Sequence, residues 1–278
     1  MIAAQTAVAI VPTMNMDRIK GLADTGRSRK GKVLAIVTSH DRLGDTGYAT
    51  GYWMPELAYP YLALTRAGYQ VEVASPRGGK APLDPYSDPS SPVTQNPDDF
   101  VCTGLLTNRG HNGKLENTFK LSEILPTAYV GAWLVGGYGA AFEFGGDEEI
   151  PRILGALWDA GGVVGAVSHG AHGLLNVKTS NGRLLISGRD VTGFAKSEDE
   201  AVERAVGAHF LPSYLEDELR ARGARYRCAP LFQPFAITSE DGRLVTGQQL
   251  FSADIFAKQF TEALERVWEA IIVSPDAL

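Results

Sequence analysis

The sequence predicts a doubly wound α/β domain, a mostly parallel sheet with helices on both faces. Three observations carry this. Short apolar runs alternate with stretches of helical periodicity from residue 32 to residue 271. The first strand, helix and strand fit within about 45 residues, as a βαβ unit with parallel pairing does. Several of these runs are continuously apolar, as in strands buried on both faces.

Taken in order, residues 1–30 have weak periodicity and end in the basic stretch Arg27-Ser28-Arg29-Lys30. They read as an N-terminal extension, either a tail or an arm for a partner, ahead of one domain over 31–278. Val33 to Val37 is an apolar, β-branched run between Gly31 and the polar Thr38-Ser39-His40, hence a buried strand. A loop with Gly44, Gly47 and Gly51 follows. Pro55 opens a helix running from Glu56 through Arg66, which Gly68 ends. Tyr69 to Ala74 is the second strand. Residues 76–100, rich in Pro, Asp and Ser, form a long loop. Ala132 to Val135 is a strand, Asp147 to Trp158 a helix, and Gly162 to Val167 another buried strand. Residues 171–177 look helical and Leu184 to Val191 strand-like. Helical stretches follow near 198–208 and 213–221. Short strands are read at Tyr226 to Cys228, Phe235 to Thr238 and Leu244 to Thr246. Phe251 to Ile271 is a closing helix.

Composition excludes several classes. The chain has 278 residues, 44% hydrophobic and 21% charged, which is neither disordered, collagenous nor coiled coil. A net charge of −6 argues against a nucleic-acid binder. The two cysteines, Cys102 and Cys228, exclude a disulfide framework and a zinc–thiolate cluster and point to a reducing compartment. No basic segment precedes the apolar start, and no window reaches the roughly 18 apolar residues of a membrane helix. The expectation is a cytoplasmic protein without a membrane span.

Ligands of open α/β sheets bind beyond the carboxyl ends of the strands. Three such ends carry unusual residues: Thr38-Ser39-His40, Gly136-Gly137-Tyr138-Gly139 and Ser168-His169-Gly170. The third is a strand running through a small-residue turn into a helix, the geometry of a nucleophile elbow with Ser168 at its apex. Ser168 is alternatively a plain helix cap. The glycine turn, with Gly137, Tyr138 and Gly139, is a candidate oxyanion or substrate site. It fits neither a P-loop nor a dinucleotide fingerprint, so no cofactor is expected. Glu56, in the first helical turn, is either a general acid or base over the elbow or a carboxylate suited to the helix dipole. His169 is a candidate proton carrier and Asp199 the acid that orients it. No residue set resembles a metal site.

The motifs Thr38-Ser39-His40-Asp41, Thr50-Gly51-Tyr52-Trp53, Glu56-Leu57-Ala58-Tyr59-Pro60, Gly136-Gly137-Tyr138-Gly139, Ala166-Val167-Ser168-His169-Gly170, Val191-Thr192-Gly193-Phe194 and Val245-Thr246-Gly247-Gln248 occur in this order. Together they resemble the ThiJ/PfpI superfamily, in particular its chaperone/glyoxalase III branch. The resemblance covers residues 32 to 266. It implies a flavodoxin-like domain, a homodimer, and cofactor-free chemistry on reactive carbonyls such as methylglyoxal. It also implies catalytic roles for Glu56, His169 and, by spacing, Asp199. The family's elbow nucleophile is a cysteine, whereas this chain has Ser168. A serine gains much less than a thiol from an elbow and needs a base within reach. Tyr138 and Ala171 stand where the family usually has His and often has Pro.

Three functions follow as expectations. One is a divergent enzyme in which Glu56 and His169 do acid–base work on an electrophilic carbonyl or enone: isomerisation, hydration or conjugate addition, including carbon–carbon bond formation in biosynthesis. Trp53, Tyr52, Tyr138 and Phe142 would then receive a larger, aromatic metabolite. The second is a glyoxalase III-like enzyme with Ser168 in place of its cysteine. The third is a non-catalytic chaperone or binding protein.

Overall fold

The computed structural model describes residues 30–95 and 97–273. The expected extension, but for Lys30, therefore lies outside the described residues. A seven-stranded sheet has the order β3-β2-β1-β4-β5-β9-β8. Its strands are β1 (Lys32–Ile36), β2 (Gln70–Ser75), β3 (Phe119–Lys120), β4 (Gly131–Leu134), β5 (Val163–Val167), β8 (Ala236–Thr238) and β9 (Leu244–Gly247). All pairings are parallel except the antiparallel β8–β9 at one edge. The predicted fold class is the observed one.

Alternation along each strand builds two cores, because side chains point to opposite faces. Val33, Ala35 and Val37 join one layer; Leu34 and Ile36 join the other. The first layer is closed by α1 (Met54–Arg66) and α8 (Ala253–Val273), which pack on each other. The second is closed chiefly by α5 (Glu149–Asp159), whose Ile150, Ile153, Leu154 and Leu157 are buried at helical spacing.

The structure differs from or refines the expected elements in three places. Residues 184–191 are not one strand. Only β6 (Asp190–Val191) is extended, pairing with β7 (Arg225–Tyr226) in a separate two-stranded sheet. Leu185 and Ile186 are apolar because they are buried in turns, and Gly188 at φ 73° continues the turning. The helices α2 (Phe100–Thr107) and α3 (Arg109–Glu116) follow the long loop unpredicted. Their N-caps are Asp99, which accepts from Cys102 N–H at 2.9 Å, and Asn108, which accepts from Gly110 N–H at 3.0 Å. The helical stretch read at 171–177 is the end of a tight 3₁₀ helix, Ser168–Leu174, and the turn after it.

The order also fixes where a site belongs. From β1 the chain winds to β2 on one side, and from β4 to β5 on the other. The crevice between β1 and β4 is the topological switch point. The three polar strand ends singled out above all open around it.

Candidate active site

Ser168 follows β5 directly and adopts φ 57°. The left-handed region is costly for an L-residue with a side chain, by roughly 1–2 kcal/mol. Ser168 is the first residue of the 3₁₀ segment rather than its N-cap, which is Val167, so the capping alternative does not describe it. The elbow is packed too tightly for side chains at its glycines. A Cβ on Gly170 would lie 2.5 Å from the Leu134 carbonyl oxygen. A Cβ on Gly136 would lie 2.3 Å from Glu56 Oε2 and 2.7 Å from Ser168 Cβ. That closeness places the Glu56 carboxyl directly at the elbow.

Glu56 arrives from the first turn of α1. Trp53 N–H donates to the Gly136 carbonyl at 3.0 Å, and Trp133 Nε1 donates to the Glu56 carbonyl at 3.3 Å, fixing the helix start on the sheet. The Glu56 side chain is fully buried. The Ser168 hydroxyl and the Gly136 amide stand beside its carboxyl, but neither oxygen closes a hydrogen bond of good geometry. Burial pushes its pKa up to about 8, against the smaller opposing pull of Ser168 and Gly136.

His169 Nε2 lies 3.0 Å from Asp199 Oδ1, with both side chains buried. Asp199 sits in the first turn of α6 (Lys196–Val206). Burial raises its pKa, while His169 and Tyr138 draw it back. Tyr138 Oη donates to the same Oδ1 at 3.4 Å, and its ring lies 4.4 Å from the imidazole. Phe194 stacks on the imidazole at 4.3 Å and 20°. His172 Nδ1 donates to the His169 carbonyl at 3.0 Å. Burial pushes the His172 pKa down to about 3, so this ring stays neutral and braces the backbone.

These groups line one cavity of about 550 Å³. Glu56, Ser168, His169, Tyr138, Gly137 and Trp53 all reach it; Asp199 stands behind His169. The Trp53 indole N–H has no partner. Much of the wall is apolar, from Leu43, Val202, Val206, Phe232 and Leu250, and Phe251 stands at the exposed rim. Sequence reasoning missed Asp84, a buried carboxyl in the same cavity. It accepts from Thr50 Oγ1 at 2.7 Å and Tyr86 N–H at 2.9 Å.

Three expected pocket residues lie elsewhere. Gly139 is no oxyanion donor: its N–H points to the Gly51 carbonyl at 3.4 Å, and a Cβ there would meet Thr38 Cγ2 at 2.5 Å. It is a close-packing position. Tyr52 is buried in the first core layer, and Phe142 stacks on His40 at 4.9 Å. Neither cysteine lines the cavity; Cys102 is buried and Cys228 exposed. Among the described residues no group of three or more His, Cys, Asp or Glu could hold a metal. Nor is any helix among them long and apolar enough to cross a membrane.

The sequence profile of the DJ-1/PfpI family matches residues 48–263. "Glutathione-independent glyoxalase HSP31" of Saccharomyces cerevisiae is 30% identical over 243 residues, 84% of this chain and 98% of the relative. A crystal structure of glyoxalase III from Candida albicans superposes with a TM-score of 0.72 at 26% identity, covering 85% of this chain and 98% of that one. Rapid Encystment Protein 24 kDa of Francisella tularensis superposes with a TM-score of 0.76 at 30% identity, covering 84% and 99%. Sheet order, elbow and profile agree, and the chain belongs to the DJ-1/PfpI family.

Proposed function

We propose that this chain is a cofactor-free enzyme that moves protons on an electrophilic carbonyl or enone metabolite. The observation that carries the reading is the Glu56 carboxyl, buried beside Ser168 and holding its proton to about pH 8. A carboxylic acid kept neutral near physiological pH donates a hydrogen bond, and then a proton, to a substrate carbonyl oxygen as negative charge develops there. His169, oriented by Asp199, takes the proton released at carbon or by attacking water. Glu56 gives a proton to oxygen as His169 takes one from carbon or water. Ketonisation of the resulting enol returns the oxygen's proton to Glu56 while His169 delivers its own to carbon, so isomerisation, hydration and conjugate addition share the same machinery. Ser168 acts as a hydrogen-bond donor to the same oxygen.

A second reading rests on the relatives, which are named as glyoxalases, and on Ser168 standing at the strained apex of the elbow. In it Ser168 attacks a small 2-oxoaldehyde with Glu56 as base. That role needs ionised Glu56, so its rate would rise with pH towards about 8. The acid role has the opposite dependence.

The test is turnover of an enone such as benzylideneacetone, and of methylglyoxal, by wild type, Glu56→Gln and Ser168→Cys. Under the first reading wild type turns over the enone and Glu56→Gln loses about 100-fold or more. Full turnover by Glu56→Gln would overturn it. Methylglyoxal loss by wild type, raised further by Ser168→Cys, supports the second reading; loss that appears only with Ser168→Cys overturns Ser168 as its nucleophile.

A further inference from the structure

Among the described residues, only Ser168 and Phe232 have positive φ without being glycine. Both line the same cavity. Strain of this kind persists where the surroundings over-determine it, and it clusters at sites. Ser168 is part of the reacting centre; Phe232, at φ 56°, is not.

The surroundings of Phe232 are unusually complete. Glu198, fully buried in the first turn of α6, accepts the Phe232 N–H at 2.8 Å on Oε1. The same oxygen accepts from Gln248 Nε2 at 2.9 Å, while Oε2 accepts the Ala195 N–H at 3.1 Å. Gln248, also fully buried, accepts the Ala229 N–H at 2.7 Å. Gln249 Nε2 donates to the Gln233 carbonyl at 3.1 Å. Both sides of residues 229–233 are thus tied to buried side chains from α6 and from the end of β9. Surface loops seldom receive such anchoring. Glu198 is also the immediate neighbour of Asp199, so one helical turn fixes both the imidazole partner and this loop.

What the clamp holds in place is a ring. Phe232 lines a cavity whose wall also carries Phe194 and Trp53 and whose rim carries exposed Tyr48, Tyr86 and Phe251. Several aromatic side chains around one volume favour an aromatic guest, since aromatic pairs gain beyond simple area burial. Exposed aromatics gathered at a cavity mouth extend the same surface outward.

We propose that Phe232 is a specificity-determining residue, held by Glu198 and Gln248 as positioning residues, and that the cavity selects carbonyl compounds bearing a planar aromatic ring. This deepens the carbonyl reading above and rests on it for the class of guest. It needs no turnover.

The probes are two saturated ketones of like size, 4-phenylbutan-2-one and 4-cyclohexylbutan-2-one, with binding measured by ligand-observed NMR. Wild type is expected to prefer the phenyl compound by about fivefold. Phe232→Gly and Phe232→Leu are expected to bring that preference within about twofold while still binding the cyclohexyl compound. Glycine adopts positive φ freely, so Phe232→Gly should melt no lower than Phe232→Ala, which keeps a misfolded variant from passing as a result. Gln248→Met, which loosens the clamp and leaves the ring, is expected to fall between. Equal binding of both ketones by wild type, or a preference that survives Phe232→Gly, would overturn the proposal. A wild-type preference in Gln248→Met would overturn the positioning role. A protein that discriminates the two rings yet turns over no enone sinks the acid–base reading and leaves this one intact.

Discussion

At the scale of single residues, Glu56 carries the proposed chemistry and a measurable cost. In the fold it keeps its proton to about pH 8, whereas its ordinary value is 4.5. Between those values the unfolded chain binds fewer protons than the native one, so this group makes stability fall as pH rises. The penalty is absent below pH 4.5 and complete above pH 8. Glu56→Gln removes it. Denaturant melts of variant and wild type should therefore diverge as pH climbs through this window, in favour of the variant. The divergence by pH 7 should reach roughly 3 kcal/mol, at about 1.4 per pKa unit. Parallel pH dependences would show that the carboxyl ionises normally. Glu56, Ser168, His169 and Asp199 were legible in the sequence because short motifs at strand and helix ends set their places. Asp84 and Phe232 were not. Loop pairings fix Asp84, through Tyr52 N–H to Pro82 O at 2.9 Å and Asp84 N–H to Tyr52 O at 3.1 Å. A distant glutamate fixes Phe232. No local pattern encodes either.

At the scale of elements, the site depends on how closely the β4 and β5 ends approach α1. Gly136 is the seam. A Cβ there would fall 2.3 Å from Glu56 Oε2 and 2.6 Å from the Val167 carbonyl oxygen. Backbone on that side cannot yield cheaply. Gly136→Ala is expected to lose about 1–3 kcal/mol in a urea melt and to displace Glu56 from Ser168. Wild-type stability together with wild-type turnover would contradict this packing account. The buried strands and long amphipathic helices were readable because burial on both faces leaves continuous apolar runs. The stretch Leu184 to Val191 misled for the same reason: burial makes a turn as apolar as a strand. Helices α2 and α3 are only eight residues each, too short for periodicity to speak.

For the molecule as a whole, strand order places everything else. Reversal of winding between β1 and β4 opens the crevice, and β5 delivers the elbow beside it. The sheet starts at Lys32, and Lys30 is anchored to Glu265 at 2.5 Å. A chain beginning at residue 30 should therefore keep its fold, melting within about 3 °C of the full chain, with unchanged turnover. Loss of either would show that residues 1–29 belong to the working domain.

The proposed chemistry requires a Glu56 carboxyl that is neutral at physiological pH. Infrared difference spectroscopy of wild type against Glu56→Gln reads this directly. A protonated-carboxyl carbonyl band is expected at pH 7, missing from the variant and fading as pH rises through about 8. Carboxylate bands alone at pH 7 would contradict it.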